Sequence, residues 1–218
     1  MALISSSVAR CLPGRRDDFL AMALEGMKLF ERHGARHPRL LAAATAGEMS
    51  MGYVLTNEFA NAEDYGAFVD ELYSDAEADS FLARITAADS PLVIESRSLA
   101  TEIPLERSGT PGPGGVIETY VARLVPGRFE ACRTLAGRVF DFFGGRGATN
   151  CRLFQLFDAG VMTDALVFVW EFENMRARGA ASDAWWTDEA GRAARDELTG
   201  PDSPITAVAS GIYRDLHM

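Results

Sequence analysis

The stretches Val8-Ala9-Arg10-Cys11-Leu12-Pro13-Gly14-Arg15 and Val121-Ala122-Arg123-Leu124-Val125-Pro126-Gly127-Arg128 repeat one pattern at a separation of 113 residues. In each, an apolar run ends on an arginine and meets Pro-Gly. Proline fixes φ and glycine tolerates positive φ, so the pair marks a tight turn. The same offset holds outward. Phe30 meets Phe143, Gly34-Ala35 meets Gly147-Ala148, and Arg39-Leu40 meets Arg152-Leu153. Ala46-Gly47 and Met49 meet Ala159-Gly160 and Met162. Glu58-Phe59 and Asn61 meet Glu171-Phe172 and Asn174. Asp70 and Asp75 meet Asp183 and Asp188, and Asp89-Ser90-Pro91 meets Asp202-Ser203-Pro204. About a quarter of the aligned positions are identical. Chance matches scatter over many offsets, so one constant offset implies a tandem duplication. Its period is too long for a solenoid, whose repeats run about 20–50 residues. The predicted organisation is a first unit over 1–103, a linker over 104–115 and a second unit over 116–218. The linker is assigned from its Gly/Pro-rich core, Ser108 to Gly115.

Each unit reads as strand, helix, strand, strand, helix, strand. In the first, Leu3 to Arg10 is a strand. Arg16 to Arg32 is a helix whose Phe19, Ala23, Met27 and Phe30 fall on one stripe. Asp17 and Asp18 suit its N-terminus, and Gly34 stops it. Arg39 to Ala46 and Met51 to Phe59, separated by a short glycine-containing segment, read as an antiparallel hairpin. Asn61 caps a second helix that turns Tyr65, Phe68 and Leu72 inward, breaks at Ser74-Asp75 and resumes to about Ala87. Leu92 to Ile103 is the last strand. The second unit repeats the order at Val116 to Arg123, Phe129 to Phe143, Arg152 to Phe157, Ala165 to Phe172, Met175 to Leu198 and Ile205 to Leu216.

The order βαββαβ is the split-βαβ, ferredoxin-like plan, with both helices on one face of a four-stranded sheet. Ala165-Leu166-Val167-Phe168-Val169-Trp170 is apolar on both faces, where a sheet with one wet face would alternate. Both faces therefore need cover. The predicted fold class is α+β: two tandem ferredoxin-like units packed sheet to sheet as an intramolecular barrel.

Bulk properties exclude several function classes. The chain has 218 residues, 48% hydrophobic and 24% charged, enough for a sizeable core. Its 21 basic residues are outweighed by 31 acidic ones, for a net charge of −10. That balance opposes nucleic-acid backbones and anionic membranes alike. No apolar run is long enough to span a bilayer, and residues 1–8 lack the charged start of a secretory signal. Cys11, Cys132 and Cys151 fall in no CxxC spacing and read as reduced thiols of a cytoplasmic protein. Phosphate-loop, dinucleotide-binding, nucleophile-elbow and HExxH motifs are absent. His33 and His37 have helical metal-ligand spacing, but Gly34 and Pro38 interrupt the helix, so no metal and no cofactor are expected.

The strand-end pattern Glu-Phe-x-Asn, at Glu58-Phe59 with Asn61 and Glu171-Phe172 with Asn174, precedes a helix that breaks at Tyr-Ser-Asp or Trp-Thr-Asp. It resembles the dimeric α/β-barrel superfamily, in its NIPSNAP-like and antibiotic-biosynthesis-monooxygenase-like branches. The resemblance covers both units. It implies a barrel built from two ferredoxin-like units, with a pocket between a sheet and its helices. It also implies an enzyme of specialised metabolism acting on a hydrophobic, polyketide-like aromatic, as a cofactor-independent monooxygenase or a cyclase. A non-catalytic NIPSNAP-like binding protein and a haem-binding protein are the alternatives, and the barrel could pair again as a homodimer.

Under that resemblance the candidate catalytic residues are Asn57, Trp170, Arg10, Arg123 and His33. Asn57 and Trp170 are equivalent strand-end positions, able to orient an aromatic or hydrogen-bond an oxyanion. Core filling by the tryptophan and turn satisfaction by the asparagine are the competing reading. Arg10 and Arg123 could fork onto a phenolate or carboxylate, or pair structurally with Glu58 and Glu171. His33 could serve as a base or haem ligand. Tyr53, Tyr65, Phe154, Phe157 and Trp186 are the candidate substrate contacts, although Trp185-Trp186 equally reads as core. The alanines Ala42 to Ala44 leave the first unit with more room, whereas Phe154, Phe157 and Trp170 make the second the tighter one.

Overall fold

The computed structural model of the protein describes residues 2–47, 52–105 and 115–216. The linker core, 106–114, and Met49 and Met51 lie outside them.

The first half contains β1 (Leu3–Cys11), α1 (Arg16–Arg32), β2 (Arg36–Thr45), β3 (Gly52–Phe59), α2 (Ala62–Ser74), α3 (Ala76–Thr86) and β4 (Leu92–Ile103). The second contains β5 (Val116–Leu124), α4 (Phe129–Gly144), β6 (Thr149–Asp158), β7 (Ala165–Phe172), α5 (Met175–Thr187), α6 (Glu189–Thr199) and β8 (Ile205–Asp215). Both halves follow the ferredoxin-like order. The break expected at Ser74-Asp75 is present, and 175–198, read as one helix, splits in the same way at Asp188, because an extended residue there ends one helix and opens the next.

All eight strands close into one antiparallel barrel in the order β1-β3-β2-β8-β5-β7-β6-β4. Each half contributes four adjacent strands. The seams are β2 against β8, with Leu41 opposite Asp215, and β4 against β6, with Thr101 opposite Gln155. Closure satisfies edge strands that either sheet alone would leave unpaired. The two-residue period then divides side chains between inside and outside. On β3, Val54, Thr56 and Glu58 face the lumen, while Tyr53, Leu55, Asn57 and Phe59 face the helices. This explains the doubly apolar Ala165–Trp170 run: Val167 and Val169 line the lumen, and Leu166, Phe168 and Trp170 pack under helices.

The backbone repeats across the halves in detail. His37 and Asn150 both take φ 47°, and Gly34 and Gly147 both take positive φ. Asn61 and Asn174 cap α2 and α5, Asn61 Oδ1 accepting from Asp64 N–H at 2.9 Å and Asn174 Oδ1 from Arg176 and Ala177 N–H, each at 3.0 Å.

Two buried ionic clusters cross between the halves near the lumen ends. Arg39 donates to Glu171 and, at 2.8 Å, to Asp215. Arg152 donates to Glu58 and, at 3.0 Å, to Glu102. Positions 39, 58 and 102 correspond to 152, 171 and 215, so each arginine reaches carboxylates related by the same offset. Burial opposes the charge of both arginines, yet the hydrogen bonds to their carboxylates outweigh it and raise both pKa values.

Candidate functional site

Cavities lie both inside the barrel and between its wall and the helices. One of about 250 Å³ fills the lumen, one of about 70 Å³ lies under the first-half helices, and one of about 240 Å³ lies under the second-half helices. The expectation that the first half holds more room is overturned at the sheet–helix interface. The alanines that motivated it, Ala42 to Ala44, do not line the first-half cavity. That space is filled by Phe19, Tyr53, Phe30 and Phe81, and a single methyl on Gly26 would meet the Phe81 ring at 2.6 Å.

The second-half cleft is floored by β5, β7 and β8 and roofed by α4, α5 and α6. The Phe143 ring of α4 stacks on Trp170 of β7, with centroids 4.7 Å apart and planes at 12°. Its other stacked neighbour is Trp185 of α5, at 5.1 Å and 24°. Such pairs contribute about 0.5–1.5 kcal/mol each beyond area burial, so this wall is stiff as well as apolar. Trp186 stands at the rim, 62% exposed, with the Arg195 guanidinium over its ring.

Beside the stack lies a charged group that the sequence did not reveal. Glu118 Oε2 accepts from Arg178 Nε at 2.9 Å and from Trp170 Nε1 at 3.2 Å, and Oε1 accepts from Arg178 Nη2 at 2.8 Å. The hydrogen bond to Glu118 is the main reason the Arg178 pKa is raised, with burial opposing it. Arg178 uses two of its five N–H groups on Glu118. Tyr120 completes the floor, its phenol pKa raised by burial. The first-half positions equivalent to Glu118, Arg178 and Trp170 are Ser5, Tyr65 and Asn57. The pattern is therefore absent from the repeat, and matching positions at the offset of 113 carry no trace of it.

The ten residues singled out from sequence do not assemble into one site. Trp170 and Trp186 line the second-half cleft, Tyr53 the first-half cavity and Phe154 the lumen. Phe157 is 44% exposed near the β6–β7 connection, and Tyr65 packs edge-on against Phe59. Asn57 is buried under the first-half helices, and its Oδ1 has no hydrogen-bond partner among the described residues. Arg10 pairs with Glu95, and Arg123 donates to the Val161 carbonyl at 2.6 Å. The anticipated pairs with Glu58 and Glu171 are thus corrected: those carboxylates face the lumen, where Arg152 and Arg39 take them. His33 lies at the end of α1, its Nε2 2.9 Å from Asp75 Oδ2, and lines none of the three cavities.

Comparison with solved structures fits this geometry. A monooxygenase candidate from Fusobacterium nucleatum superposes with a TM-score of 0.65 at 10% identity, covering 99% of this chain and 92% of that one. The fold is that of the dimeric α/β barrels. An anthrone oxidase-like protein matches with a TM-score of 0.57 at 13% identity, covering 99% and 92%. A heme-binding protein from Thermus thermophilus matches with 0.57 at 12%, covering 99% and 91%. No protein-family profile and no curated protein sequence matches the chain. This barrel closes within one chain, and none of its described helices is long and apolar enough to cross a membrane.

A haem does not fit the residues of the second-half cleft. Haem iron takes an axial His, Cys, Met or Tyr. No His, Cys or Met lines the second-half cleft, and burial disfavours the phenolate of its Tyr120. His33 is engaged by Asp75 away from the cleft. Among the described residues, no group of three or more His, Cys, Asp and Glu is placed to hold a metal ion.

Proposed function

We propose that the protein is an enzyme acting on a small, flat, hydrophobic aromatic molecule of the polyketide type. The substrate binds in the second-half cleft for cofactor-independent oxygenation or cyclisation. The observation that carries this reading is the meeting, in one cleft of about 240 Å³, of the Trp170–Phe143–Trp185 stack with the Glu118–Arg178 pair. An apolar cavity with few convergent polar groups is the usual form of a small-molecule site, and this one lies just below the common range of about 300–1,000 Å³. The aromatic wall suits a planar ring. Glu118 is the group that would take a proton from an acidic C–H or O–H. The free N–H groups of Arg178 would stabilise the resulting enolate or phenolate. Such an anion is electron-rich enough to react with dioxygen directly, which is why no cofactor is required. The same reading treats the halves as a tandem duplication, residues 1–103 and 116–218, in which one copy kept a working cleft. The unequal residues at positions 5 and 118 support it.

A hydroxyanthrone is a suitable probe, because its oxidation by dioxygen gives the quinone and water. Oxygen uptake with growth of quinone absorbance is expected from the purified protein, falling at least tenfold in Glu118→Gln and in Trp170→Phe. A cyclase would bind the probe, quenching tryptophan fluorescence without oxygen uptake, and turn over an open-chain polyketide instead. Binding without turnover of either favours the non-catalytic reading. Failure of any flat aromatic to bind the cleft overturns the proposal.

A further inference from the structure

The lumen cavity is separate from this cleft. Eight strands give a barrel just wide enough for side chains to fill or for one small ligand to occupy. Here the lumen keeps about 250 Å³ open, in an interior that packing normally leaves without voids larger than water. The cause is local. Ser98, Ser6 and Thr56 sit directly opposite one another on β4, β1 and β3, so three small side chains form a row across the wall. At the equivalent second-half positions stand Gly211, Thr119 and Val169, and the Tyr213 ring lies over Gly211, its hydroxyl bonded to Thr119.

The first-half wall carries a row of three hydroxyls, whereas the second-half wall pairs its Thr119 and Tyr213 hydroxyls with each other. The hydroxyls of Ser6, Thr56 and Ser98 have no hydrogen-bond partner among the described residues. Asn150 borders the same cavity and is 8% exposed. Its amide donates to Glu171, while its Oδ1 has no partner among the described residues. Asn150 Oδ1 is thus a buried polar atom of the kind that costs about 1–3 kcal/mol, so it favours an occupant that donates a hydrogen bond. The three hydroxyls add open sites beside it. The second-half wall adds Val121, Val167, Phe154 and Leu156, which favour an apolar body. The ends select on charge. Arg39 and Arg152 are each forked onto two carboxylates, leaving no unpaired cation for an anion to meet, and desolvation against the apolar wall opposes a charge of either sign.

We infer that the barrel lumen is a second binding site, for a small uncharged molecule with an apolar body and one hydroxyl group, such as a monocyclic phenol. The site does not depend on the catalytic reading of the cleft. Para-cresol is the probe, with benzoate and benzylammonium as charged counterparts of similar size, followed by thermal shift and by NMR contacts to lumen methyls. Para-cresol should raise Tm and contact Val121 and Val167, with both charged probes at least tenfold weaker. Filling the lumen in the Ser6→Val/Ser98→Val double variant should abolish binding, and Thr56→Val, which keeps volume and removes one hydroxyl, should weaken it several-fold. Trp170→Phe, which alters only the cleft, should leave it unchanged. Absence of para-cresol binding to the unaltered protein overturns the inference. So does benzoate or benzylammonium binding as tightly as para-cresol, or binding that survives lumen filling and disappears in Trp170→Phe. If the double variant fails to fold, Thr56→Val decides: unchanged affinity there rules out recognition by the hydroxyl row.

Discussion

Arg152 and Glu58 stand 94 residues apart on opposite halves of the barrel, yet Arg152 Nη1 donates to Glu58 Oε1 at 2.5 Å with both side chains largely buried. Together with Arg39 and Glu171, this pair joins the halves beside the hydrogen-bonded seams. Removing one partner strands a buried charge, which costs about 3–5 kcal/mol. Arg152→Met and Arg39→Met should each lower the unfolding free energy in urea by that much, whereas replacing Arg152, Glu58 and Glu102 together by apolar residues should recover most of it. Equal loss in the single and triple variants would show that the cluster is stabilising in itself.

The helix caps offer a smaller and cleaner perturbation. Asn174 Oδ1 accepts from two backbone N–H groups and Asn61 Oδ1 from one. Alanine at either position should cost about 0.5–2 kcal/mol, and Asn174→Ala should be the worse of the two. Chemical denaturation of the two variants checks the order.

Asp75 links acidity to stability at the α2–α3 junction. The Glu77 backbone N–H holds its pKa below the ordinary value, with His33 adding to the effect. A carboxyl whose folded pKa is depressed stabilises the protein above its unfolded pKa, and that contribution is lost as pH falls through the folded value. Tm should therefore fall below about pH 4. In Asp75→Asn, which keeps a capping side chain, the fall should be shallower. Identical Tm profiles would remove Asp75 from the acid response.

Thiol chemistry should separate the cysteines. Burial pushes the Cys132 thiol up to about 11, and Cys151 is also buried, whereas Cys11 is partly exposed. Only the thiolate attacks a disulfide reagent. Near neutral pH the native protein should label first at Cys11, and Cys11→Ser should abolish the fast phase. Cys132 and Cys151 should react only as the protein unfolds.

The local pattern was enough to read the elements. Pro13-Gly14 and Pro126-Gly127 mark the turns, Asn61 and Asn174 the helix starts, and Gly34 and Gly147 the helix ends, because each acts through its own backbone within a few residues. The doubly apolar Ala165–Trp170 run demanded cover on both sheet faces, and closure supplies it. The candidate site was far less legible. Arg39 and Arg152 matched across the repeat, but nothing within reach in sequence identifies Glu171 or Glu58 as a partner. Arg10 and Arg123 stood at strand ends in the same way and turned outward. Trp170 was singled out as a strand-end aromatic, without its partner: Glu118 and Arg178 lie 60 residues apart and meet only when α5 folds over β5.

What the sequence by itself determined is therefore the repeated order of strands and helices and the need for a barrel, since period, turn and cap are short-range properties. Only the tertiary structure decided which wall stays open. Cavity volume is the small difference between a closed backbone and the side chains filling it. That difference puts about 240 Å³ under the second-half helices and about 70 Å³ under the first, opposite to what residue sizes along one hairpin suggested. The same closure buries the arginine clusters and leaves the Ser98–Ser6–Thr56 row facing an unfilled lumen.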